Sequence, residues 1–406
     1  MNSLKLINLK YKALQGCYWM LYCVCYGYMT FYLLAKEYSV AQVGIIAAFF
    51  GILSSVIQPV LGRIADKAKK GWKLPLIILC IIIIAIGLVL CGASFHLAQG
   101  ILFGILISIV GAIMPLINVV CFSCTPSGKG VDFGSARGTG SLGYALISMI
   151  LGYLLKLLDE KLIPLSAILI AFVILIIIVR MPYSSVDKND VENQNHNETE
   201  HSGFFKFFRS SPEFFVLWIA GLLMMTFHCM TNTYMLQIVQ KAGGESDALG
   251  ITLGIAAVME LPVMFTFGKI YRRFSYKLLF IVTGVSFVAK GLIYFLATNV
   301  PLIWGAQFFQ MFSFALYANL SVLYATDKVN AEFRTMSQSL MSVTISAGTV
   351  AGSLLGGTLI EKYETSGMLL FGGFIAVLGL IVIIVNSLYQ SNFRTTRRSD
   401  KVCLKK

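Results

Sequence analysis

The chain has 406 residues, of which 57% are hydrophobic and 13% charged, with a formal net charge of +13. A soluble domain carries about a quarter charged residues, and a soluble fold of this length has too little interior for so much apolar surface. The basic residues form short clusters between apolar runs and do not line one polar face, which excludes a nucleic-acid binder.

In chain order, the basic amino terminus MNSLKLINLKYK leads into an apolar segment with no small-residue cleavage site. It reads as a retained span, not a cleaved signal peptide. A spanning helix needs about 20 mostly apolar residues. Segments of that kind fall near 14–35, 41–62, 74–94, 98–123, 138–157 and 162–181. A second six lie near 213–237, 247–268, 277–297, 301–326, 335–360 and 365–390. The expected organisation is therefore a six-helix bundle over 1–182, a polar linker over 183–212, a second bundle over 213–392 and a basic tail over 393–406. The linker contains DKNDVENQNHNETEH, which has no apolar period.

Basic residues give the orientation. With the amino terminus inside, inside segments hold 26 of the 32 Lys and Arg. Outside segments hold Lys36, Lys156, Lys161, Lys241 and Lys362, and Lys290 lies within a span. The expectation is a multi-pass protein of the cell membrane with both termini and the linker in the cytoplasm. The halves also echo each other. PVLGRIADKAKKGWKLPLI begins at Pro59 and PVMFTFGKIYRRFSYKLLFI at Pro262. Each has Pro-Val near the end of a span, a Gly-basic-Ile turn, a basic cluster, and Lys-Leu opening the next span. A duplicated six-helix unit with a midplane site between its halves is a common transporter plan.

Two motifs carry a family resemblance. Gly62-Arg63-Ile64-Ala65-Asp66-Lys67 resembles the major facilitator signature between the second and third spans. There Gly62 permits a close turn, and the resemblance implies that Asp66 helps latch a cytoplasmic gate; the bland alternative is a solvated basic loop. Phe133-Gly134-Ser135-Ala136-Arg137 followed by Gly138, Gly140, Ser141 and Gly143 resembles the start of the fifth helix in the lactose-permease branch and its oligosaccharide–proton symporters. The small residues suit close helix approach. The resemblance implies that Arg137 contacts a sugar and Tyr144 stacks on its ring, with Tyr where the branch has Trp. Arg137 is equally readable as an anchor at the start of its span. The implied fold class is an all-α membrane protein of twelve transmembrane helices, two six-helix bundles with inverted repeats.

Departures from that branch are as informative. On the overlay, Lys290 takes the place of a buried Arg, and Gln307, Gln310 and Ser313 stand where the branch carries Lys, His and Glu of its proton machinery. The sugar-binding carboxylate of the fourth span falls on Asn118, after Pro115, and that of the eighth near Ala257, one turn from Glu260. The segments 308–326 and 259–265 are similar to phenylpropionate-permease-like and nucleoside-symporter-like sequences.

Glu260 and Lys290 are the clearest charges deep in apolar spans. Each costs about 2.5–3.5 kcal/mol at a helix centre, so such groups face a cavity and find partners. Glu260 is the candidate proton carrier, interacting with Lys290 directly or through water; the alternative is an ion pair that only sets helix register. Gln58, Asn118, His228, Asn232, Gln307, Gln310 and Asn319 extend the candidate pocket, and Trp19, Tyr22, Tyr26, Tyr144 and Tyr294 supply stacking faces. Trp19 and its neighbours also suit an interfacial belt.

No phosphate-binding loop occurs, so ATP-driven pumping is not expected. The fifth span lacks the proline-bearing glycine motif of drug–proton antiporters. Cys121 and Cys124 form a CxxC inside a hydrophobic segment with no second pair, so neither metal nor cofactor is expected. The expected function is proton-coupled uptake of a sugar, nucleoside or aromatic acid by a monomer that needs only its solute, protons and the bilayer, not an enzyme. An exporter of the same fold and a non-transporting receptor are the alternatives.

Overall fold

The computed structural model describes residues 2–67, 71–92, 95–123, 132–182 and 204–403. All regular elements among them are helical. Among the described residues, ten helices are long and apolar enough to cross a bilayer. One of these, Arg334–Cys403, is two spans, because Tyr363 and Glu364 break its helical geometry and Glu364 has φ of 58°. The opening span is assembled from Asn2–Tyr22, a π-turn at Cys23–Gly27, and Met29–Ala35. Counted in this way, the described residues are consistent with the twelve spans expected from the sequence.

Spans 2 to 6 are Val40–Lys67, Lys73–Gly92, His96–Ser123, Phe133–Leu157 and Leu162–Arg180. Spans 7 to 9 are Pro212–Thr233, Ser246–Arg273 and Tyr276–Leu296. Span 10 runs from Val300–Ala306 through a 3-10 turn at Gln307–Gln310 and a π-turn at Met311–Ala315 into Leu316–Asp327. Spans 11 and 12 lie on either side of the Tyr363–Glu364 break.

Local chemistry sets the starts. Asp132 accepts the Ser135 amide at 3.1 Å, Ser275 the Leu278 amide at 3.3 Å, and Asn299 the Leu302 amide at 3.2 Å. Each is a side-chain N-cap that satisfies an otherwise orphaned donor. The Asp132 carboxyl is held below its usual range, chiefly by that amide hydrogen bond. The cap starts span 5 five residues before 138, so Arg137 sits one turn inside the helix and not at its mouth.

Two sequence expectations change. The Gly62-Arg63 and Gly268-Lys269 segments are not turns: spans 2 and 8 remain helical through them to Lys67 and Arg273. Once a helix is running, each added residue gains a hydrogen bond, and one glycine costs only about 1 kcal/mol. The chain turns instead at Gly71, with φ of 49°. The end of the expected linker is also ordered. Phe204–Ser210 is a short helix whose Phe207 packs on Phe214, Phe215 and Phe333. The rest of the linker, 183–203, lies outside the described residues.

Among the described residues the broadest contacts between the halves are span 5 against span 8 and span 2 against span 11, and span 1 also touches span 7. At the basic-poor end they are tight. A Cβ on Gly152 would lie 2.5 Å from the Ser246 carbonyl oxygen, and one on Gly357 2.7 Å from that of Val40. Glycine is required there because backbone meets backbone. Polar bridges reinforce the seal. Lys156 pairs with Asp247 at 3.0 Å and Glu245 at 3.2 Å. The Ala41 amide donates to Glu361 at 2.9 Å, and the Thr30 hydroxyl to the Thr233 carbonyl at 2.6 Å. At the basic-rich end, Gly62 and Gly268 have no neighbour within 4 Å of their Cβ positions among the described residues.

Candidate functional site

Between the halves lie two overlapping cavities of about 290 Å³ and 180 Å³. They share Tyr22, Tyr144, His228, Asn232, Leu253 and Phe314 and so form one central space. Spans 1 and 5 supply one wall, and spans 7, 8 and 10 the facing wall. Spans 2 and 11 close the larger cavity with Ser54, Gln58, Thr349 and Ser353.

The N-terminal wall is aromatic and cationic. The Arg137 guanidinium lies 3.8 Å from the centre of the Trp19 ring and donates to the Ser141 hydroxyl at 3.3 Å. A planar cation on an indole face is held by cation–π attraction while its remaining donors stay free. Tyr22 and Tyr26 stack at 4.4 Å with planes 12° apart. Trp19 is thus part of the cavity wall and not of an interfacial belt. Its approach needs small neighbours: a Cβ on Gly140 would meet the indole.

The opposite wall carries a polar chain. Lys290 of span 9 is only 3% exposed and donates to Gln310 Oε1 at 2.5 Å. Gln310 Nε2 donates to Glu260 Oε1 at 3.0 Å. Glu260 and Lys290, expected to interact directly or through water, are instead joined by a side-chain amide that accepts from the cation and donates to the carboxylate. An amide has both capacities, which neither charged partner can supply. Among the described residues neither Arg137 nor Lys290 forms a direct ion pair with Glu260. Arg137 and Glu260 both line the smaller cavity, a cation and an anion on facing walls.

The other sequence candidates divide. His228 and Asn232 line the cavity, with the His228 ring stacked on Phe314 at 4.4 Å. Tyr144 lines both parts of it. Gln307 stands behind the wall, fully buried, donating to the Tyr294 hydroxyl at 2.7 Å. Asn118 lines neither cavity; it accepts from Gln15 of span 1 at 3.2 Å and ties spans 1 and 4 together. Asn319 donates to the Ala315 carbonyl at 2.8 Å, within its own span. Gly62 and Arg63 lie at the basic-rich end, Arg63 exposed; the Asp66 side chain lies outside the described residues. Sequence reasoning did not single out Phe314, Cys229, Ser346 and Thr349, all of which line the cavity. Small or apolar residues in an apolar span carry no signal of the face they occupy.

The chain is 22% identical over 355 residues to the maltose permease of Geobacillus stearothermophilus, covering 85% of each chain. Among solved structures it is similar to the nucleoside transporter NupG, with a TM-score of 0.78, 16% identity, and 94% of this chain and 98% of that one covered. A POT family transporter in complex with a peptide gives a TM-score of 0.70 at 14% identity, with 96% of both chains covered. These likenesses confirm the fold. Residues 11–371 match the MFS_1 like family, and the chain, a multi-pass membrane protein, belongs to that family.

Proposed function

We propose that this protein is a secondary active transporter that takes up a small hydroxylated ring solute, a sugar or a nucleoside, together with protons. The observation that carries the reading is the central cavity, where Arg137 on Trp19 faces Glu260 across a space walled by Tyr22 and Tyr144. Aromatic faces stack on a ring, while a guanidinium and a carboxylate take its hydroxyls as acceptor and donor. The names of its relatives, a maltose permease and a nucleoside transporter, support that solute class over an aromatic acid.

In this reading the two bundles, 1–182 and 213–392, rock about the cavity, and the polar segment 183–212 joins them. The basic-rich end faces the cytoplasm of the cell, by the positive-inside rule, with both termini on that side. Gly62, Arg63 and Asp66 close the cytoplasmic end in the opposite state. Glu260 is the proton carrier. Gln310 transmits the Lys290 charge to it in the present state, and rearrangement of spans 8 and 10 weakens that link so that Glu260 takes a proton. The protein works as a monomer and catalyses no covalent chemistry.

Purified protein in liposomes tests this. A thermal-shift screen of sugars and nucleosides selects ligands, and an imposed inward proton gradient should then drive their accumulation with proton uptake. Ligands that bind but never cross the membrane would overturn transport. Accumulation indifferent to the proton gradient would overturn coupling alone.

A further inference from the structure

A third cavity, of about 680 Å³, lies outside the central path at the basic-rich end of the C-terminal half. It sits among the ends of spans 7, 9, 10 and 12, and nothing in the transport reading uses it. Its volume equals that of on the order of twenty waters, far more than a single ion needs. Two lysines line it. Lys277 donates to the Ser387 carbonyl at 3.0 Å, which leaves the ammonium two further donors. Lys328 stands 5.1 Å from the Tyr276 ring centre, in contact with no carboxylate among the described residues.

A further side chain points to a ligand. Asn386 of span 12 lines the same cavity, is only 6% exposed, and has no hydrogen-bond partner among the described residues. Its amide atoms are not sealed off from the cavity and can both donate to and accept from a ligand there. Span 7 also begins here, and its N-cap residue Ser211 makes no capping bond. Pro212 has no N–H and the Phe214 amide donates to the Ser211 carbonyl at 3.1 Å, so the helix start offers one first-turn amide, that of Glu213, and the two lysines supply the positive charge. Glu213 is the one carboxylate lining the cavity, against the two lysines.

We propose that this cavity binds a phosphate ester: the lysines and Asn386 hold the phosphate, and the remaining volume takes its glycerol or sugar. Two sources share that chemistry, the headgroup of an anionic phospholipid in the adjoining leaflet and a soluble sugar or glycerol phosphate.

Native mass spectrometry of the purified, delipidated full chain tests it. Phosphatidylglycerol and phosphatidylcholine are titrated as probes, with glycerol 3-phosphate as soluble competitor. The wild type should bind phosphatidylglycerol at least tenfold more tightly than phosphatidylcholine. Lys277→Gln with Lys328→Gln should remove that preference. Asn386→Leu, which changes no charge, should weaken it at least threefold. Lys269→Gln with Arg272→Gln removes the same charge outside the cavity and should leave it intact; thermal melting of each variant verifies folding. Displacement by millimolar glycerol 3-phosphate supports the site with a soluble source, and a preference that resists it supports a lipid source. Equal binding of both lipids with no glycerol 3-phosphate binding, or equal loss in the control pair, overturns the proposal.

Discussion

The two ends of the helix pairs that join the halves are built differently. At the basic-poor end, spans 5 and 8 touch backbone to backbone through Gly152 and Gly250, and spans 2 and 11 through Gly44 and Gly357. At the basic-rich end, Gly62 and Gly268 of the same spans 2 and 8 have open space around them. Glycine therefore serves one purpose at one end and another at the other. Where backbones meet it is a steric requirement. Where they do not, it is no steric requirement in this structure, and the proposed gate would use that room in the opposite state. The structure is sealed at the basic-poor end.

The comparison is broken most severely by preventing the seal. Gly152→Trp with Gly250→Trp should reduce uptake at least a hundredfold. It should also make Cys229, which lines the cavity, accessible to an impermeant maleimide from the basic-poor side, as mapped by mass spectrometry. Intact uptake in that variant would show that the glycine contacts are not a gate. Gly268→Trp adds bulk where there is space and should leave thermal stability within about 0.5 kcal/mol, in the range of surface substitutions.

Between the two ends, the polar chain should couple one to the other. Glu260→Gln should lower proton-driven accumulation about thirtyfold or more while solute exchange at equal concentrations persists; undiminished coupled uptake would remove Glu260 as carrier. Arg137→Lys retains the charge but loses the planar contact with Trp19, and should weaken solute binding about tenfold, or 1.4 kcal/mol. Calorimetric titration reads it directly. Gln310→Leu leaves Lys290 and Glu260 without their shared partner. It should lower stability by about 2 kcal/mol, seen as a drop in melting temperature, and a neutral result would mean that the two charges find each other directly.

The smallest effect concerns Lys36 and Glu160, which pair at 2.6 Å at the basic-poor end within the N-terminal half. The Lys36 hydrogen bond holds the Glu160 carboxyl below its ordinary range. Its stabilisation is therefore present above the ordinary glutamate pKa and is lost as pH falls through the depressed value. A partly exposed pair is worth about 0.5 kcal/mol. Glu160→Gln should remove that acid-side slope in a melting series and change little at neutral pH.

The fold was legible because a bilayer leaves the sequence few options: every apolar run of sufficient length became a helix. Charges pointed to the central cavity, since Glu260 and Arg137, which stand out against apolar neighbours, both line it, and Lys290 reaches Glu260 through Gln310. How they connect was not legible. The role of Gln310 depends on the relative rotation of spans 8, 9 and 10, and span 10 is not a regular helix there. Asn118 is polar, preceded by a proline and in a plausible span, yet it faces Gln15. Hydropathy fixes that a residue is inside the membrane, not which neighbour it turns toward. Trp19 suits a headgroup region as well as a cavity, and only the closeness of span 5, which Gly140 permits, decides between them.

The π-turns of spans 1 and 10 lie beside the cavity, at Cys23–Gly27 and Met311–Ala315. Each holds one residue more than a regular helical turn requires. If that residue were absorbed, the helix beyond it would swivel by about 100°, the angle between successive residues. Tyr26 and Phe314, which lie within the turns, would then present different faces. A single-residue deletion or insertion at either position therefore acts as a twist and not as a change of length. These two spans are wound with slack at the depth of the central cavity.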